Sequence, residues 1–155
     1  MTSKYSSIPQ VIDYLFAEIQ LAATGLADTV ISDGYPGTEQ TPNIIAIGGT
    51  TKPVADGDAT PVAFGARYIQ ESFEVDLTLS SYVGGTDEKV ARDAAFSLYD
   101  LVVGVIAKDF TLGGNCTWAL PSKLAVDGSN FDTAAAGVIV DLTFAIRVSS
   151  RIQLV

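Results

Sequence analysis

Ser72–Phe73–Glu74–Val75–Asp76–Leu77–Thr78–Leu79–Ser80 decides the fold class. Apolar and polar residues alternate without a break. Phe73, Val75, Leu77 and Leu79 therefore share one face, and Glu74, Asp76 and Thr78 share the other. A period of two with one apolar face predicts a half-buried strand, typical of an antiparallel sheet with one side on a core. Gly137 to Ser149 repeats the pattern over a longer run. Val138, Val140, Leu142, Phe144, Ile146 and Val148 fall on one face, and Asp141, Thr143 and Arg147 on the other.

Helical spacing appears on either side of the first strand. Ile8, Val11, Ile12, Leu15, Phe16 and Ile19 recur every three or four residues, which predicts a helix from Ser7 to Thr24. Ser7 is placed to cap it, Pro9 sits near its first turn, and Gly25 is a natural stop. A second helix is expected over Asp87–Lys108, capped by Thr86, with Val90, Ala91, Ala94, Leu98, Leu101, Val102, Val105 and Ile106 as its buried stripe.

The remaining segments are short. Asp28–Ser32 and Asn43–Ile47 read as brief strands. Residues 50–66, rich in Gly, Pro, Asp and Thr, read as a long loop or a hairpin with an irregular arm. Cys116–Leu120 reads as a strand that Lys123–Val126 can continue, with Pro121 marking an edge or a bulge. Asp127–Gly128–Ser129–Asn130 reads as a turn. Two helices and mostly antiparallel strands in one 155-residue chain predict a single α+β domain.

Composition narrows the chemistry. The chain has no histidine, one cysteine, 18 acidic and 9 basic residues, and a net charge of -9. It can hold no Ser-His-Asp triad, no His-ligated zinc and no intrachain disulfide. Its acidity disfavours a general grip on phosphate backbones. Charged residues are 17% of the chain, against about 25% in ordinary soluble domains. Interface cores are depleted in charge, so a subunit walled in by neighbours fits this profile. The longest strongly apolar stretch, Leu101–Ala107, is far short of the ~20 residues of a spanning helix, so no membrane partner is expected. Met1–Gln10 has no basic region leading into an apolar core, and no signal peptide is expected.

The local motifs read as structure. Asp56–Gly57–Asp58 has the spacing to start a calcium loop but lacks the later oxygen ligands and closing glutamate. The Gly–Gly pairs at 48–49, 84–85 and 113–114 lack phosphate-loop spacing and read as tight turns. Glu74 and Asp76 could serve acid–base chemistry only in a cleft, and read as a polar strand face. Cys116 reads as a core residue, and Arg92–Asp93 as part of a solvated helix face. Neither a metal nor an organic cofactor is expected.

Several segments together carry a resemblance. These are Ser72–Val75, Gly84–Gly85–Thr86–Asp87, Ala91–Arg92–Asp93–Ala94–Ala95–Phe96, Phe110–Thr111–Leu112–Gly113–Gly114, Thr117–Trp118–Ala119 and the terminal Arg147–Ile152. In order and spacing they resemble the tail terminator, or tail completion, proteins of long-tailed phages (siphophages), over about half the chain. The resemblance implies a non-enzymatic virion subunit, assembled in the host cytoplasm. Its hexameric ring ends growth of the tail tube at the head-proximal end. The partners implied are further copies of the chain, the tail tube protein, the head-completion (stopper) protein and the tape measure protein. The resemblance also implies that genomic DNA passes through the lumen without specific binding. Six copies at -9 would carry -54, which repels phosphate. The alternatives are a stopper or tube subunit, a carboxylate-based enzyme, or a binding module.

Two sets of candidate site residues follow. Asn43, Ile45 and Ile47, with Asp141, Thr143 and Arg147, are candidates for the subunit interface, on the expectation that their strands are free edges pairing across subunits. Lys52, Asp56, Asp58 and Arg67 are candidates for docking on neck or tube.

Overall fold

A computed structural model of the chain describes residues 3–34, 42–48, 55–62, 67–132 and 137–154, with 127–132 described at the backbone. Two helices pack on one face of a six-stranded, mostly antiparallel mixed sheet. The elements are α1 (Ile8–Ala22), β1 (Thr29–Asp33), β2 (Asn43–Ile47), β3 (Ala55–Pro61), β4 (Tyr68–Gly84), α2 (Glu88–Lys108), β5 (Trp118–Asp132) and β6 (Gly137–Gln153). The sheet order is β1-β2-β4-β6-β5, with β3 also on β4.

The alternating strands form the centre. β4 and β6 pair antiparallel along their full length, Tyr68 opposite Gln153 and Gly84 opposite Gly137. Phe73, Val75, Leu77 and Leu79 of β4 are buried, as are Val138, Val140, Leu142, Phe144, Ile146 and Val148 of β6. Each fully buried Val, Leu or Ile is worth about 1.5–3 kcal/mol, so this two-strand floor contributes substantially to stability. Val11, Leu15 and Ile19 of α1 and Ala91, Ala95, Leu98, Val102, Val105 and Ile106 of α2 cover it. Tyr99 stacks edge-on against Phe144, centroids 5.0 Å apart, joining α2 to β6.

β2 and β3 lie in tandem along one edge of β4. Ile47 pairs with Leu77 and Ala55 with Val75, so a single β4 residue, Asp76, separates the two ladders. Gly48 N–H donates to the Asp76 carbonyl at 2.7 Å, and Thr78 Oγ1 donates to the Gly48 carbonyl at 3.2 Å. β2 ends at Ile47 and β3 begins at Ala55. Of the two readings of residues 50–66, the hairpin arm is the one the described residues show, since Ala55–Pro61 forms β3 antiparallel to β4. Gly57 permits the pairing, because a Cβ there would lie 2.0 Å from the Ser72 carbonyl oxygen.

Other boundaries differ from expectation for local reasons. Asp87, not Thr86, caps α2, its carboxylate accepting from Val90 N–H at 3.3 Å. Val90 lies outside the buried stripe at 48% exposure, and Ala95 sits inside it. Residues 127–130 are no turn. β5 runs through them with a register shift between Asp127 and Ser129, a bulge made from turn-type residues. Pro121 does lie on an edge strand, close to the other shift between Ser122 and Ala125.

Strand order overturns the expected edges. β2 is flanked by β1 and β4, and β6 by β4 and β5, so the backbones of Asn43–Ile47 and Val138–Val148 are already paired on both sides. They cannot add a strand from another subunit.

Candidate functional site

The helices leave the other sheet face bare among the described residues. Residues facing away from them on β4 are Glu74, Asp76, Thr78, Ser80 and Tyr82, alternate to the buried set. Register places neighbours beside each. Glu74 lies opposite Asp56 on β3 and Arg147 on β6, and Arg147 lies opposite Leu120 on β5. Ser72 pairs with Asp58, Thr78 with Thr143, and Ser80 with Asp141. Asp56, Asp58, Glu74, Asp76 and Asp141 thus give this face five carboxylates. Lys123 ion-pairs with Glu74. Arg151, over the Tyr68 ring with 4.6 Å from guanidinium carbon to centroid, lies at its lower end. The face carries these five carboxylates against Lys123, Arg147 and Arg151, so its balance is acidic.

The sequence-derived candidates divide between two places. Asp141, Thr143 and Arg147 do lie together on this bare face, with Arg147 exposed. Ile45 and Ile47 point into the core and are fully buried, and Asn43 accepts a hydrogen bond from Ser81 Oγ at 2.9 Å. These three are unavailable as an edge. Asp56 and Asp58 are exposed on β3, and Arg67 is exposed where the chain enters β4, its carbonyl accepting from Leu154 N–H at 2.6 Å. Lys52 lies outside the described residues. Asp76 and Glu74 were legible as a polar face, but their acidic neighbours on β3 and β6 were not, because cross-strand register is non-local.

A second feature is a polar cavity of about 360 Å³ between the N-terminal segment and the start of β5. Its lining includes Lys4, Gln10, Asn115, Thr117, Ser150 and Arg151. Gln10 Nε2 donates to the Ser3 carbonyl at 2.7 Å, while its Oε1 is buried without a partner among the described residues. Behind this wall the Glu71 carboxylate is buried on the helix side of β4. It accepts from Ser6 Oγ, Ser7 N–H and Ser7 Oγ at 2.7, 2.8 and 2.7 Å. Ser7 Oγ also contacts Ser150 Oγ at 2.8 Å, so Ser7 serves the sheet instead of its own helix end. The Cys116 thiol borders the cavity. Burial, with the Asp109 carboxylate nearby, pushes its pKa up to about 11, which holds it protonated near neutrality. A protonated thiol is a poor nucleophile.

The loop after α2 is held by Asp109. Its carboxylate accepts from Thr111 Oγ1 and N–H at 2.6 and 2.9 Å and from Gly113 N–H at 2.9 Å. The Thr111 hydroxyl first, then the Gly113 and Thr111 amides, hold the Asp109 carboxyl below the usual carboxylate range. Among the described residues no three metal-ligating side chains cluster, and no helix is long and apolar enough to cross a membrane. In comparisons with protein-family models and with curated proteins, nothing matches the chain.

Proposed function

We propose that the chain is a structural subunit of a long phage tail, a terminator whose ring ends the tail tube and joins it to the neck while DNA passes through. The observation that carries this reading is the division of the fold into a helix-covered sheet face and a bare acidic one. A ring subunit around a DNA channel needs such a division: a core on the outer side and a negative, non-adhesive wall on the inner. Carboxylates there repel phosphates over about the Debye length, roughly 8 Å at physiological salt. The segment-by-segment resemblance and the low charge fraction support the same reading. In it, Asp56, Asp58, Asp76 and Asp141 turn toward the lumen.

The first experiment is native mass with negative-stain imaging of the purified protein, alone and with growing tail tubes. A closed ring of about six 16.2 kDa chains that arrests tube growth is the expected result. Long stacks of rings would make the chain a tube subunit. A monomer that binds preformed necks but never halts tube growth would make it a stopper.

A further inference from the structure

Three pieces of chain meet around the polar cavity: the residues leading into α1, the stretch Gly114–Thr117, and the end of β6 at Ser150–Ile152. At about 360 Å³ it falls low in the roughly 300–1,000 Å³ range of small-molecule sites. Such sites are mostly apolar, whereas this wall is mostly polar, so it suits a small ligand rich in hydrogen-bonding groups.

Where the wall's own protons go decides what the ligand must bring. The Ser6 and Ser7 hydroxyls give theirs to Glu71, at 2.7 Å each. The Ser150 hydroxyl lies 2.8 Å from Ser7 Oγ and 3.4 Å from the Asn115 carbonyl, so its proton is also spent within the wall. Cys116 turns its S–H to the Thr111 carbonyl at 3.3 Å. A hydroxyl has one proton and two lone pairs, so what these serines can still offer is lone pairs. Gln10 adds another acceptor. Its Nε2 donates to the Ser3 carbonyl, which fixes the amide with Oε1 as the free end. That oxygen is enclosed and has no partner among the described residues, although the residue as a whole is only half-buried. An enclosed acceptor left without a donor is costly, so a ligand that brings N–H groups is favoured. The Glu71 carboxylate behind Ser6 and Ser7 favours a donor that is positively charged.

The rim has the opposite sign. Lys4 is exposed there, and no carboxylate pairs with it among the described residues. The chain has 18 acidic residues, yet none is among the described residues lining the cavity. Arg151 also lines it, but its guanidinium is held over the Tyr68 ring.

We propose that the cavity binds a free α-amino acid, with the ammonium inward on Gln10 Oε1 and the carboxylate outward on Lys4. An ammonium has three donors and no acceptor, which matches a floor of lone pairs. A carboxylate on lysine makes a charge-assisted bond, and the flexible lysine stem lets the head follow it. A peptide amino terminus brings the ammonium without the adjacent carboxylate and leaves Lys4 unused. An inorganic anion would serve Lys4 and leave Gln10 without an ammonium. The site lies within one subunit, so it stands or falls apart from the ring reading.

The test is an NMR titration of the whole chain, near neutral pH, with a panel of free amino acids, following the amides of Asn115, Cys116 and Thr117. At least one amino acid is expected to shift them with a Kd of about 1 mM or tighter. Its N-acetyl derivative, which lacks the ammonium, should bind at least about tenfold more weakly, and so should its methyl ester, which lacks the carboxylate. Gln10→Met should weaken the parent amino acid while leaving the N-acetyl derivative as it was. Lys4→Met should abolish the preference for the acid over the ester. A panel in which nothing shifts these amides leaves the cavity to water and overturns the proposal. An N-acetyl derivative that binds as tightly as its parent overturns it too, as does a Lys4→Met chain that still prefers the acid. Should Gln10→Met fail to fold, the derivatives and Lys4→Met decide.

Discussion

Ser7 and Glu71, 64 residues apart, are joined twice: the Ser7 amide and hydroxyl both donate to Glu71 Oε2, at 2.8 and 2.7 Å. A carboxylate on the helix side of a sheet is costly to bury unless its lone pairs are filled. Here Ser6 and Ser7, just ahead of α1, fill them with two hydroxyls and one amide, and the carboxylate in turn gives the Ser7 amide at the helix start an acceptor. One pair thus fixes the start of α1 against the β4–β6 floor.

Glu71→Ala is therefore expected to cost about 2–3 kcal/mol, since it strands a buried amide and hydroxyl that had a charged acceptor. Glu71→Gln, which keeps one acceptor oxygen, should lose less. Urea denaturation of the two variants checks the ordering. Equal losses would mean that the charge, not the acceptor, matters at this position.

Gly57→Ala should release β3 from β4 without unfolding the subunit. The added Cβ would meet the Ser72 carbonyl oxygen at 2.0 Å and the Phe73 Cα at 2.4 Å, both of them backbone and unable to yield. The β3 residues beyond Ala55 are exposed, so little core is lost with them. Hydrogen exchange should show faster amides over 55–61 with unchanged protection at Leu142 and Phe144. Under the tail-subunit proposal, the same variant also tests whether β3 docks on neck or tube, since attached tails at wild-type yield would remove that role.

The Cys116 thiol, with its pKa near 11, gives a pH signature. An ordinary thiol ionises near 8.5. At pH 8 the folded chain should react with a disulfide reagent slower than the urea-unfolded chain by on the order of a hundredfold, from thiolate fraction alone. The sign for stability follows from proton counting. Between about pH 8.5 and 11 the unfolded thiol has lost its proton while the folded one keeps it, so stability falls as pH rises across that window. Cys116→Ala should flatten that limb in denaturation curves taken from pH 8 to 11.

How far the fold was legible depends on which residues set each element. β4 and β6 carry their own period, and both cores follow from it. Glu71 hid the lower end of β4, because a carboxylate on the apolar side breaks the pattern and its partners lie at Ser6 and Ser7. β3 has no alternation, and Ala55–Pro61 pairs only because Gly57 lets two backbones approach. Asp127–Gly128–Ser129–Asn130 has turn chemistry, and bulges use the same residue types. Strand order is not written locally, which is why Asn43–Ile47 and Val138–Val148 were expected at edges and lie inside the sheet. For the site, the polar faces of β4 and β6 were legible one strand at a time, while their meeting with Asp56 and Asp58 needed the register.

The acidic face yields the prediction closest to function. Asp56, Asp58, Asp76 and Asp141 can be replaced by asparagine while Glu74 is left to hold Lys123. The replacement keeps side-chain shape on a face that no described helix covers, so the subunit should fold and assemble as before. It removes four negative charges per copy, which a channel for DNA uses to keep phosphate off its wall. At low salt the variant should retain DNA that the wild-type protein releases, read as slowed ejection from tails or as new retention of short duplexes. Raising the ionic strength toward 1 M shortens the Debye length to about 3 Å and should erase the difference. Equal DNA behaviour at low salt would place these four carboxylates away from the lumen of the proposed ring, and would turn the bare sheet face toward its proposed tube or neck partner.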